Sequence, residues 1–180
     1  MKALLVVGAM LLVSAASVTP SGAQAMNEAF LQSTVLVSYS AGPSKTSKGS
    51  GFFLFRTVQP DQGHVILVTN RHVLPPEGTP KSITVRVSTK LGDKSVVRLV
   101  DVPVVGANGR YLPNVKLHSD PDVDVAVVNA TETIVKEKVQ GAWIPVDLLA
   151  TPAKLKAENI TVGDEVFLLG YPDAIFVSGE

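Results

Sequence analysis

Thr69-Asn70-Arg71-His72 closes an apolar run, His64-Val65-Ile66-Leu67-Val68-Thr69, and puts an imidazole where a strand gives way to a turn. Imidazole has an ordinary pKa of about 6.5, so it can take up and return a proton near neutral pH. It works as a general base only when one tautomer is held, and a carboxylate on the other ring nitrogen does that. A second apolar run, Asp122-Val123-Asp124-Val125-Ala126-Val127-Val128, offers two such carboxylates. Asp122 and Asp124 are two residues apart along a strand and so share a face. The residues alone do not choose between them. A carboxylate flanked by valines is poorly solvated, and leaving it unpaired costs several kcal/mol, so Asp124 is expected to have a partner. A base and its orienter are two members of a catalytic triad whose third is an activated serine.

Such groups need rigid elements to bring them together, and the sequence reads as short β-type runs between turn residues. Ser33–Tyr39 and Gly51–Phe55 are rich in β-branched and aromatic residues, and His64–Thr69 follows the turn Pro60-Asp61-Gln62-Gly63. Ile83, Val85 and Val87 alternate with polar residues and share one face. Gly92-Asp93 marks a turn before a strand at Val96–Val105. Val123–Val128 is expected as a strand buried on both faces, and Glu165–Leu169 as the last strand, after the turn Val162-Gly163-Asp164. Helical signals are few: Asn27–Gln32, and one turn at Pro145–Leu149 with proline at its first position. Gly106–Pro121 is the longest expected loop. Many short strands at fairly regular spacing predict an all-β barrel or sandwich.

The composition narrows the function. Sixteen basic and 16 acidic residues give zero net charge without a charged tract, which argues against nucleic acid and anionic membrane as partners. No cysteine is present, so a thiol nucleophile, cysteine-ligated zinc and disulfides are excluded. Lys2, the apolar stretch Ala3–Ala16 and Ala23-Gln24-Ala25 have the form of an export signal with a cleavage site. The stretch is shorter than the roughly 20 residues of a membrane span. Residues 1–25 are therefore expected to be removed, leaving a chain that starts at Met26, exported to the periplasm or beyond, with no membrane attachment. His64, His118, Asp120 and Asp122 lack metal-ligand spacing, so no metal and no cofactor is expected. Phe52, Phe53 and Phe55 read as core, and Trp143 as a packing anchor.

Taken in order, Gly49-Ser50-Gly51-Phe52, Val68-Thr69-Asn70-Arg71-His72-Val73-Leu74 and Asp124-Val125-Ala126-Val127-Val128 resemble the motifs of trypsin-like serine proteases, most closely the bacterial HtrA-like branch. Val162-Gly163-Asp164-Glu165-Val166 to Gly170-Tyr171-Pro172 resembles the opening of that family's second barrel. The resemblance implies a double β-barrel: a complete first barrel over residues 26–130, a connector over 131–157, and a second barrel only begun over 158–180. It implies His72 as general base and Asp124, rather than Asp122, as its orienter. The implied activity is peptide-bond hydrolysis by an exported serine endopeptidase acting on polypeptides.

The chain departs from the family at the nucleophile. The family serine sits in Gly-x-Ser-Gly-Gly. After Asp124 this sequence has one serine, Ser178, without those glycines, and Ser50 matches the first-barrel segment instead. The oxyanion hole is built from backbone around the same serine. A truncated, inactive member is therefore expected. The alternative is a non-enzymatic secreted β-domain, a pseudoprotease that binds peptides or protein partners. Gly49-Ser50-Gly51 itself reads as a structural segment whose glycines allow close packing before a strand.

Overall fold

The computed structural model describes residues 28–171, apart from 61, 80, 92 and 93. The segment expected as an export signal, the expected turn at Gly92-Asp93, Pro172 and Ser178 lie outside the described residues. The chain runs α1 (Glu28–Ser33), β1 (Thr34–Gly42), β2 (Lys45–Gln59), β3 (Gln62–Thr69), a 3-10 turn at Arg71–Val73, β4 (Lys81–Leu91) and β5 (Lys94–Val105). It continues through β6 (Val115–Leu117), β7 (Ala126–Asn129), α2 (Thr131–Lys136), β8 (Ile144–Pro145), a 3-10 turn at Val146–Leu148 and α3 (Pro152–Ala157). The fold is all-β with a few short helices, as the strand spacing predicts.

The strands form one sheet in the order β5-β4-β1-β2-β3-β7-β6, with β8 added in parallel to β2. Every other pairing among these strands is antiparallel. Pro43 and Ser44 turn β1 into β2, where proline's fixed φ and missing N–H are tolerated. The two ends of the strand order approach each other. Val105 bridges to Tyr111, and the Leu112 N–H donates to the Val104 carbonyl at 2.9 Å.

Alternation sets the core. Val35 and Val37 of β1, Ile83, Val85 and Val87 of β4, and Val100, Val102 and Val104 of β5 are all at most 2% exposed. Phe53 and Leu67 join them from β2 and β3. Each such side chain contributes roughly 1.5–3 kcal/mol on burial. Trp143 packs its ring edge-on to Phe53, with centroids 5.1 Å apart and planes at 79°, and so ties the stretch before β8 to the core.

Four sequence expectations need correction. The strand expected over Val123–Val128 begins only at Ala126 and alternates: Ala126 and Val128 are buried, while Val127 is half-buried. It has a ladder on each side, from β3 and β6, but the face carrying Val127 and Asn129 is only partly covered. Glu165–Leu169 forms no strand. Val166 and Leu168 are 88% and 99% exposed, and no described strand pairs with them. An apolar run becomes a strand only where a neighbour takes up its backbone hydrogen bonds. The loop Gly106–Pro121 contains β6, too short to show a period. Finally, Pro145 caps the turn at Val146–Leu148 rather than occupying its first position.

Candidate active site

Register brings the two chemical groups together. In the β3–β7 ladder Val68 faces Val127 and Thr69 faces Ala126. Continuing that register past the last pair lays Asp124 beside the 3-10 turn Arg71–Val73. The turn is closed by the Val73 and Leu74 N–H groups donating to the carbonyls of Asn70 and Arg71, both at 3.1 Å. Val73 is buried beneath it, and Gly49 of β2 leaves room for the Val73 γ-carbons. Gly51 lets β2 close on β3: a Cβ there would stand 2.9 Å from the Val68 carbonyl oxygen. The glycines of Gly49-Ser50-Gly51 thus seat the turn that carries His72.

The His72 Nδ1 lies 2.6 Å from Asp124 Oδ2, and the His72 backbone N–H donates to Asp124 Oδ1 at 3.0 Å. The Asn70 side chain donates through Nδ2 to the Asp124 backbone carbonyl at 3.1 Å and to Oδ2 at 3.3 Å. The backbone N–H of His72, then its ring, and more weakly the backbone N–H of Arg71, hold the Asp124 carboxyl below its ordinary pKa. An ionised carboxylate only accepts hydrogen bonds. Nδ1 of His72 therefore carries the proton, and Nε2 of the neutral ring keeps its lone pair. That is the tautomer a general base needs.

Both side chains are open to water: His72 is 70% and Asp124 47% exposed. The poor solvation expected for Asp124 is not found, because the strand starts two residues later and leaves Asp124 on its approach. Asp122 serves a turn, its backbone N–H donating to Asp120 Oδ1 at 3.0 Å. The carboxylate at His72 is Asp124.

A family model for the trypsin-like peptidase domain matches residues 49–178. The chain belongs to that family. No curated protein and no solved structure matches it. The match takes in the Gly-Ser-Gly segment of β2, His72 and Asp124 together.

The remaining sequence candidates of this trypsin-like peptidase domain fall elsewhere. Ser50 braces neighbouring backbone. Its Oγ accepts from the Tyr171 N–H at 2.7 Å, and its carbonyl accepts from the Thr69 hydroxyl at 2.8 Å. His118 closes a local loop with the backbone N–H of Asp120 at 3.1 Å, and His64 lies near Asn129. An open groove of about 800 Å³ runs between β2, β3 and the stretch 167–171. Asn70 and Val125 line it, so it adjoins the His72–Asp124 pair. Asn70 lies within the Thr-Asn-Arg-His segment, but the sequence reading gives it no role at the site. No spacing rule marks it, because Asn70 caps the 3-10 turn that carries His72 and the two-residue period of a strand does not extend through that turn.

Proposed function

We propose that this chain carries the base and orienter of an exported serine endopeptidase of the HtrA-like branch, acting on polypeptides. The single observation behind the reading is the 2.6 Å contact between His72 Nδ1 and Asp124 Oδ2, with the carboxylate fixed by further donors. In the reaction, His72 Nε2 takes the proton from a serine hydroxyl as its oxygen bonds to the scissile carbonyl carbon. The same nitrogen then gives the proton to the leaving amine as the C–N bond breaks. Asp124 remains ionised throughout and balances the imidazolium charge. In this reading residues 26–130 form the first barrel, and the stretch from residue 158 opens the second.

The serine is the missing partner. No Gly-x-Ser-Gly-Gly segment occurs among the 180 residues. The pair needs a serine and an oxyanion hole from such a segment, and the 180-residue chain alone hydrolyses no peptide bond. Incubating the purified chain with a fluorophosphonate probe and with casein tests this. Neither labelling nor cleavage is expected, and a labelled serine with casein turnover overturns the reading. A second reading, a pseudoprotease that binds peptides without cleaving them, draws support from the open groove beside the pair. A monodisperse, cooperatively unfolding chain that binds unstructured casein without cleavage favours it.

A further inference from the structure

Asn70 belongs to the Thr-Asn-x-His segment, yet neither the base nor the orienter role uses it. Its side-chain amide reaches two acceptors on one residue, the backbone carbonyl of Asp124 at 3.1 Å and its Oδ2 at 3.3 Å. Both partners are acceptors, so the amide must present its nitrogen, and no flipped orientation serves. A donor that holds a residue's carbonyl and its carboxylate together restricts rotation of that carboxylate. Oδ1 is held separately, by the His72 backbone N–H at 3.0 Å. Oδ2 is then left facing His72 Nδ1. The carboxylate is almost half exposed, so burial does not lock it, and hydrogen bonds have to.

We infer that Asn70 is a positioning residue, clamping the Asp124 carboxylate so that Oδ2 stays on His72 Nδ1. It acts through Asp124 and touches no reacting atom. The inference rests on the proposed pairing of His72 with Asp124 and deepens it by naming what aims the carboxylate.

The test uses the 180-residue chain in wild-type form and as Asn70→Ala, Asn70→Asp and Asp124→Asn. The readout is the low-field NMR signal of the His72 Nδ1 proton, with circular dichroism and thermal unfolding alongside to follow the fold. The wild type shows the signal and Asp124→Asn loses it. Asn70→Ala also loses it, through exchange with water, while its far-ultraviolet spectrum stays that of the wild type. Asn70→Asp keeps the shape but replaces the donor by an anion, so the two carboxylates repel and one titrates above the ordinary range. Asn70→Ala with an undiminished signal, or Asn70→Asp with neither carboxylate raised above the ordinary range, overturns the clamp and leaves the pair intact. A signal absent from the wild type, or one that survives Asp124→Asn, overturns the pairing itself and the clamp with it.

Discussion

A side chain on Gly49 would overlap both γ-carbons of Val73, the residue that follows His72. The contact ties a glycine in the middle of β2 to the short turn that carries the base. Gly49→Ala must therefore push the turn outward or bend the strand. Overpacking of this kind costs about 1–3 kcal/mol. A lowered urea midpoint together with a changed His72 NMR environment is expected. A variant as stable as the wild type, with His72 unmoved, contradicts this account of the Gly-Ser-Gly segment.

The core has a centre that can be tested against its surface. Phe53 is fully buried and packs edge-on to Trp143. Phe53→Ala is expected to lose about 3–5 kcal/mol in urea unfolding. Leu99, on the outer face of β5, is 70% exposed. Leu99→Ala should stay within about 0.5 kcal/mol of the wild type. Equal losses at the two positions would contradict the inside–outside assignment of the sheet.

The hydrogen bonds to Asp124 make stability depend on acid in a set direction. Its native pKa lies below the ordinary value, chiefly because of the His72 backbone N–H. The unfolded chain takes up a proton near the ordinary carboxylate pKa of about 4, where native Asp124 is still ionised. Stability from this group is therefore complete above that pH and drains away as pH falls through the lower native value. Between neutrality and strong acid, Asp124→Asn should show a shallower fall in urea midpoint than the wild type. Identical acid limbs would contradict the geometry around the carboxylate.

Much of this was legible in the residues, for reasons that differ from place to place. Ile83, Val85 and Val87 alternate because β4 has one face on the core, so period alone revealed the strand. The meeting of His72 and Asp124 could be anticipated because each stands at the end of a β-type run, and antiparallel neighbours bring such ends together. Other features were not legible. Glu165–Leu169 has the composition of a strand, but composition does not reveal whether a neighbour exists to complete its ladder. Val115–Leu117 is too short for any period and sits among prolines and asparagines. The exposure of Asp124 depended on where β7 starts, and a run of valines on either side conceals that boundary.

The N-terminus carries a separate prediction. In the proposed reading, Ala23-Gln24-Ala25 closes an export signal, so a bacterial host carries the chain across its inner membrane and cuts after Ala25. N-terminal sequencing of periplasmic material should begin at Met26. Recovery of the intact chain, still starting at Met1 in the cytoplasm, would contradict export.

The most direct test of the central claim is the tautomer of His72 in its neutral form, read from the nitrogen-15 shifts and long-range couplings of its ring. The account predicts a proton fixed on Nδ1, facing Asp124, with Nε2 unprotonated and free to accept. A neutral ring protonated on Nε2, or one that averages both tautomers as an unpaired histidine does, would contradict it.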